Sequence, residues 1–300
     1  MMKAARAAAT DNCLFEARRE VCPESQVRPL AFTLEGRFSK SMRYLLAFLL
    51  AALAVPAAAQ VSPLDDATLG GQNRYDNCLI LIRTAPQNAL NAASDWEKTG
   101  GGGSAIHCEA VALVALRRYS EAGAKLDSLA KATPGSADRA ALYDQAGNAW
   151  LLARRADNAQ TSFTAAITFK PRDADLYLDR ARAFALKPDW ISADNDLTAA
   201  LAIAPGRADL LVLRASARHA LGKKADARTD IDQALKRSPG NADALEMRGD
   251  MKMEAGDQAG AKADWQAVVA QSPRSAAAST ARDRLATLNQ PPPAAAPAKH

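Results

Sequence analysis

The chain has 300 residues, of which 48% are hydrophobic and 24% are charged, and its formal net charge is +5. Residues 1–59 hold eight basic and five acidic residues, so 30 basic and 28 acidic residues follow them, a net charge of +2. A mixed surface of this kind, without a basic stripe, argues against a nucleic-acid partner. The length would allow two ordinary domains, but an internal repeat is a better guide to domain organisation than length.

Residues 42–59 have the pattern of a secretory signal peptide. Lys40 and Arg43 supply positive charge, residues 45–55 form a short apolar run, and three alanines precede Gln60. This pattern predicts cleavage between Ala59 and Gln60 and a periplasmic or secreted protein of Gram-negative type. An uncleaved anchor is the alternative, but the apolar run is shorter than the ~20 residues that a spanning helix needs. We therefore expect no stable membrane span after cleavage.

The segments around the signal are expected to lack regular structure. Residues 1–41 are polar, show no helical periodicity and place the signal far from the N-terminus, so we interpret them as a non-native or disordered extension, with Met42 as the true start. Residues 60–71 are a short linker of small and polar residues, and residues 289–300 are a Pro/Ala-rich tail that we expect to be disordered.

Between these segments the sequence predicts helices throughout, because alanine and leucine abound, charges are interspersed and β-branched runs are absent. Residues 72–102 form a divergent first pair, with helices expected at 75–83 and 87–98 on either side of Ala85-Pro86. The run Gly100–Gly103 separates this pair from a unit at 103–139, which repeats the spacing of the later second helices with about three extra residues.

Cys78 and Cys108 each lie on the expected first helix of one of these two early pairs. An even number of cysteines in an exported chain favours a disulfide between them. Two buried thiols are the alternative, because helices of neighbouring units can lie too far apart for a bridge. A redox role is less favoured, since the two cysteines are not in a Cys-x-x-Cys motif.

From residue 140 onward one unit is repeated every 34 residues. Pro171, Pro205, Pro239 and Pro273 mark the period, and an alanine precedes each proline by twelve residues. The four units span residues 140–173, 174–207, 208–241 and 242–275. Small residues in the first helix would let the two helices of a unit approach closely, and a large residue in the second would fill the wedge between units. The small residues are Gly147, Ala181, Ala215 and Gly249, and the large ones are Phe163, Leu197, Ile231 and Trp265.

The unit at 140–173 resembles the tetratricopeptide repeat. Its first helix carries Tyr143, Ala146, Gly147 and Trp150, and its second carries Ala159, Phe163 and Ala166 before Pro171. The resemblance implies an all-α fold, a right-handed superhelical solenoid of antiparallel helix pairs. Residues 276–288 would form the polar capping helix that such arrays need at their end.

Three of the units share a matched pair of opposite charges. An arginine on the first helix precedes an aspartate on the second by sixteen residues, whereas the unit at 140–173 has Ala146 and Ser162 in these places. The matching predicts an ion pair within each helix pair, and the alternative is an acidic-ligand site built from three arginines. The predicted pairs are Arg180 with Asp196, Arg214 with Asp230, and Arg248 with Asp264.

The family resemblance also implies a concave groove, lined by the first helices, that holds an extended peptide or a partner helix. Transferred by position, the groove residues are Asp144, Asn148, Leu178, Arg182, Val212, Ser216, Glu246 and Asp250. Family members that clamp a C-terminal carboxylate have lysines where Asp144, Leu178, Val212 and Glu246 stand here, so that specificity is not expected. A basic or neutral segment is the expected partner near Glu246 and Asp250.

Catalysis, metal binding and cofactors are not expected. His107 neighbours Cys108 and Glu109, but adjacent residues of one helix cannot converge on a single ion. No histidine is matched with a nucleophile and an orienting acid, and no glycine-rich loop follows a strand. The sequence therefore favours a protein-interaction scaffold of the cell envelope. One alternative is an accessory subunit that docks on a membrane complex through its convex face or capping helix; an enzyme with an unrecognised site is a remote one.

Overall fold

The computed structural model of the protein describes residues 71–288, and these form thirteen helices and no strand. The segments interpreted as an extension (1–41), a signal peptide (42–59), a linker (up to residue 70) and a tail (289–300) lie outside the described residues. The helices are α1 Gly71–Thr84, α2 Pro86–Lys98, α3 Gly102–Ala115, α4 Tyr119–Ala132, α5 Ser136–Leu152, α6 Ala156–Phe169, α7 Ala174–Ala185, α8 Trp190–Ile203, α9 Ala208–Ala220, α10 Lys224–Arg237, α11 Ala242–Glu254, α12 Gln258–Gln271 and α13 Ala276–Leu288.

Side-chain caps fix the start of several helices. Asp189 accepts a hydrogen bond from the backbone N of Ser192 at the start of α8, and Asp257 accepts one from Gly260 at the start of α12. Asn241 does the same for Ala244 in α11. Such a cap satisfies a backbone N–H that has no partner within the helix.

Consecutive helices pack as antiparallel pairs, and each pair packs on the next, as a helical-repeat solenoid requires. We call α1, α3, α5, α7, α9 and α11 the first helices and the helix that follows each of them the second helix. The extra residues before the unit at 140–173 lengthen its first helix, which begins at Ser136 and has 17 residues. The offset in the proline interval is therefore absorbed as an additional turn of helix.

The turn between the two helices of a unit needs a left-handed backbone. Gly222 and Gly256 occupy this turn with φ of 76° and 85°, a region that glycine enters without a steric penalty. Arg154 stands at the same place in the unit at 140–173 with φ of 57°. The glycines thus explain why the chain reverses sharply after α9 and α11.

Small and large side chains are matched within each unit. A Cβ added at Gly147 would lie 2.6 Å from the ring of Phe163, and one added at Gly249 would lie 2.5 Å from the indole nitrogen of Trp265. The units that have alanine at this place have the smaller Leu197 and Ile231 opposite it. Glycine is therefore used where the second helix presents an aromatic ring.

This matching predicts a compensating pair of substitutions. We expect Gly147→Ala to lower the free energy of unfolding by roughly 1–3 kcal/mol, because the new methyl group overlaps the Phe163 ring in a packed core. Gly147→Ala combined with Phe163→Leu recreates the alanine–leucine pair of the next unit, so it should be less destabilised than the sum of the two single variants. Urea unfolding of the four proteins measures this, and simple additivity would contradict the matching.

One core cluster runs continuously from Ala174 of α7 to Ala281 of α13. From α2 onward every helix carries buried alanines that let neighbouring helices approach, while Phe163, Leu197, Ile231 and Trp265 fill the space between them. No helix in residues 71–288 is both long and apolar enough to cross a bilayer.

Candidate interaction groove

The first helices line the inner side of the array. First helices of successive pairs pack against each other at α1–α3, α5–α7 and α9–α11, and α13 packs on α11 in the same way. The pairs α3–α5 and α7–α9 pack less closely, as do all pairs of second helices in the described chain. Helices that approach each other lie on the inside of a curve, and helices that diverge lie on the outside. The side chains that the first helices leave accessible therefore face a concave groove.

Two of the predicted groove residues are not accessible. Leu178 has no exposed surface and Val212 is 7% exposed, because both belong to the core cluster that joins the units. Their assignment to the groove was wrong: at this helical position the side chain points between neighbouring first helices. A partner in the groove cannot contact either of them.

The polar groove residues are engaged with neighbours to different degrees. Asn148 donates to the backbone oxygen and to Oδ1 of Asp144, at 3.0 and 2.9 Å. Arg182 donates to the buried carboxylate of Asp179 at 2.7 Å. Ser216 is exposed on α9 and lies 3.5 Å from the sulfur of Met247 on α11. These contacts link successive turns or helices along the inner face.

The acidic end of the groove is neutralised from within the chain. Arg284 of α13 donates to both carboxylate oxygens of Asp250, at 3.1 and 2.9 Å. This hydrogen-bonded ion pair raises the pKa of Arg284, mainly through the hydrogen bond to Asp250. Asp250 is therefore already paired within the chain, and this weakens the expectation that a basic partner segment binds near Glu246 and Asp250.

Sequence reasoning missed a row of residues on the inner face. Tyr75 of α1 lies 2.7 Å from His107 Nδ1, and His107 Nε2 lies 2.6 Å from Gln145 Oε1 of α5. These contacts are hydrogen bonds that link α1, α3 and α5 through the imidazole of His107. The same row continues with half-buried Leu213 and Met247 on α9 and α11. The recurrence of Gln145, Asp179, Leu213 and Met247 at 34 residues was the available signal.

The row is therefore polar at one end of the array and apolar at the other.

Among residues 71–288, no group of three or more His, Cys, Asp or Glu side chains is placed to hold a metal ion.

The structure brings together all three predicted arginine–aspartate pairs. Each guanidinium donates from two nitrogens to both oxygens of its aspartate. The distances are 2.8 and 2.8 Å for Arg180–Asp196, 3.0 and 2.7 Å for Arg214–Asp230, and 2.8 and 2.7 Å for Arg248–Asp264. This bidentate geometry directs the arginines into their own unit. Few of their N–H groups therefore remain available to an acidic ligand.

Two of these arginines also reach the preceding unit, a link that the sequence analysis did not foresee. Arg180 donates to Thr164 Oγ1 at 3.1 Å, and Arg214 donates to Thr198 Oγ1 at 3.3 Å. Both threonines lie sixteen residues before their arginine, on the second helix of the previous unit. One guanidinium thus joins three helices of two units.

Two of the aspartates also bind a second basic side chain. Asp230, which is 1% exposed, also accepts from Arg218 at 2.8 Å, and Asp264 also lies 2.8 Å from Lys252 Nζ. Burial by itself raises the pKa of Asp264, but the hydrogen bonds from Arg248 and Lys252 outweigh it and hold that pKa below its ordinary value. A carboxylate in this setting stays ionised and paired.

The unit at 140–173 uses a different acceptor for the same link. Asp127 of α4 accepts from Ser162 Oγ and from Trp150 Nε1, both at 2.8 Å. The carboxylate here lies on the second helix of the previous unit, where the later units have Thr164 and Thr198. The connection between units is therefore kept, and its donors still belong to the later unit, but the carboxylate now lies in the preceding unit.

At the start of the array a disulfide joins Cys78 of α1 to Cys108 of α3, with their Cα atoms 6.3 Å apart. This separation lies within the range of protein disulfides, so the alternative of two buried thiols is not what the structure shows. The bond ties the divergent first pair to the next unit. Arg74 over the Trp96 ring, 5.2 Å from its centroid, adds a contact within the first pair.

We expect removal of this bond to loosen α1 and α2 selectively. The bond closes a segment of 30 residues, which by loop-entropy arguments is worth about 3.6 kcal/mol. A Cys78→Ala/Cys108→Ala variant should show faster backbone hydrogen exchange in α1 and α2, with α7 to α12 unchanged as the internal control. Equal exchange in both proteins, or a wild-type chain whose two thiols are alkylated without reduction, would contradict this prediction.

Comparisons with known proteins concern the fold. No protein-family model and no curated protein matches the chain. A tetratricopeptide repeat protein from Parabacteroides merdae ATCC 43184 is 16% identical, with 75% of this chain and 86% of that one covered and a TM-score of 0.52.

Two further solved structures have lower TM-scores. MamA from Desulfovibrio magneticus RS-1 is 16% identical over 57% of this chain and 94% of its own, with a TM-score of 0.49. A thermophilic TPR protein from Thermus thermophilus is 19% identical over 61% and 99%, with a TM-score of 0.43. The fold of the Parabacteroides protein and the four units in register lead to one conclusion: this chain has the fold of a tetratricopeptide-repeat solenoid.

Proposed function

We propose that this protein is a non-catalytic scaffold of the cell envelope that holds a peptide or a partner helix in the groove of its first helices. The observation that supports this most is the accessible surface at α9 and α11. Ser216 is exposed there, and Leu213 and Met247, which also pack against the core, are only half-buried beside it. Accessible side chains on the concave side of a rigid repeat array are suited to an extended partner.

The charges of the groove define the partner further. Because Arg284 neutralises Asp250, the end of the groove at α11 does not demand a strongly basic segment. Met247 is a flexible, polarisable side chain that adapts to apolar groups of different shape. We therefore propose a neutral segment with an apolar side chain between α9 and α11, and polar contacts toward Asn148.

An envelope location is supported by two observations of different kinds. Residues 42–59 have the signal-peptide pattern, and disulfides such as Cys78–Cys108 form mainly in oxidising compartments outside the cytoplasm. N-terminal sequencing of the protein from the producing cell should give Gln60 as the first residue. A start at Met1 or Met42 in the mature protein would contradict export with cleavage.

Site-specific photocrosslinking in cells tests the groove. A benzophenone amino acid at Ser216 reports on the inner side, and the same residue at Ile191, which is 65% exposed on second helix α8, is the matched control. We expect protein adducts from position 216 and none from position 191. Adducts from position 191 alone would favour the accessory subunit that docks through its convex side, and an absence of adducts at both positions would contradict the scaffold.

A further inference from the structure

The last helix, α13, occupies the place of a first helix. Arg284 lies 34 residues after Asp250 and binds it, so α13 is in register with α11. Ala277, Ala278 and Ala281 are buried against the array. α13 thus extends the solenoid by half a unit.

Arg282 stands at the repeat position of the arginines that, in three of the units, bind an aspartate of their own unit. It lies 34 residues after Arg248, which binds Asp264 on the following helix. The sequence after α13 contains Pro291-Pro292-Pro293, which disfavours a second helix at that point. Arg282 donates instead to the backbone oxygen of Pro273, and within residues 71–288 neither Arg282 nor Asp283 forms a side-chain ion pair.

The outer face of α13 is the face that a second helix covers in the four units. Its residues are Ser279, Arg282, Asp283 and Ala286, and all of them are exposed. Asp283 stands where the units have Gly147, Ala181, Ala215 or Gly249, on which the second helix packs a large apolar residue. A helix of the ordinary repeat type would therefore bring an apolar side chain onto a carboxylate. A helix that packs on this face would have to carry an acid opposite Arg282 and a base opposite Asp283, because either charge would otherwise be buried without a partner.

We propose that the occupant is a second copy of α13, packed antiparallel, so that the protein forms a two-fold symmetric dimer through this helix. Ser279 and Ala286 lie at equal distances along the helix from the Arg282–Asp283 pair, so the face is its own complement. Around a two-fold axis at the pair, Arg282 of each copy meets Asp283 of the other, and the small Ser279 and Ala286 allow the helices to approach. The groove stays open in this dimer, so the proposal does not depend on groove binding.

A charge swap tests the dimer. A contact of one helix per copy is small, so we expect a dissociation constant on the order of micromolar or above, measured by sedimentation of the full chain over a wide concentration range. Arg282→Glu converts two symmetry-related attractions into repulsions and should raise this constant by about ten-fold or more. Arg282→Glu combined with Asp283→Arg restores the attractions and should restore the dimer.

The matched control is Arg228→Glu, which reverses an exposed arginine of α10 that forms no ion pair with any other described residue, and it should leave the dimer unchanged. All the substituted side chains are exposed, and circular dichroism of each variant checks that the fold is retained. A wild-type chain that remains monomeric at every concentration overturns the proposal. So does a dimer that Arg282→Glu leaves intact, or one that the charge swap fails to restore.

Discussion

We expect Arg214→Ala to lower the free energy of unfolding by about 3 kcal/mol, because it leaves a buried carboxylate with fewer partners. Asp230 is 1% exposed, and Arg214 supplies two of the three hydrogen bonds that arginines make to it. The same substitution removes the bond to Thr198 in the preceding unit. Urea unfolding followed by circular dichroism measures the loss.

Arg228→Ala serves as the control for this experiment. Arg228 is exposed on α10 and takes no part in these links, so its removal should change the stability by no more than about 0.5 kcal/mol. If both alanine variants unfold at the same urea concentration as the wild type, Arg214 is not a structural link.

The second large effect is expected at Trp265, which fills the space between α11 and α12. Its side chain is 2% exposed and packs directly on Gly249. Trp265→Ala should cost about 3–5 kcal/mol, because it removes the contacts and leaves a cavity that the helices cannot close.

Trp265→Phe separates packing from hydrogen bonding at this site. The indole Nε1 is buried without a hydrogen-bond partner among residues 71–288, so phenylalanine removes an unsatisfied donor while it keeps an aromatic ring over the glycine. Phe163 over Gly147 is the same arrangement in another unit. We expect Trp265→Phe to retain most of the stability that alanine loses. A phenylalanine variant as unstable as the alanine variant would show that the Phe163 arrangement does not transfer.

The proline interval was sufficient to predict the helices of the four units, since each of the four prolines follows a second helix at a fixed distance. It was also sufficient for the arginine–aspartate pairs, because residues that recur together at 34 and lie sixteen apart face each other across a helix pair. Both predictions depend on spacing along the chain, which the sequence records directly.

The accessible residues of the groove were predicted less well. Leu178 and Val212 stand at the same repeat position as Asp144 and Glu246, yet the structure buries them in the core. How far a side chain at one position reaches the surface depends on the packing between neighbouring first helices. Knowing which residue of the repeat faces the groove in the family does not reveal that packing. The hydrophobic residues Leu178 and Val212 indicated that side chains at this position can be buried between first helices.

The links between units were missed for a related reason. Thr164 and Thr198 recur at 34 residues, but a threonine on a helix has many uses and its partner lies in another unit. Asp127 was hidden further by the three-residue offset that lengthens α5. Contacts across an irregular interval cannot be obtained by counting residues.

We infer that the recurring arginines and aspartates are structural links, and we propose that a partner binds in the groove instead. The most direct measurement is a double-mutant cycle with Arg214→Ala, Asp230→Ala and the double variant, each unfolded in urea. We expect a coupling free energy of about 2 kcal/mol, with the double variant much less destabilised than the sum of the single ones. Additive effects of the two substitutions would contradict the claim.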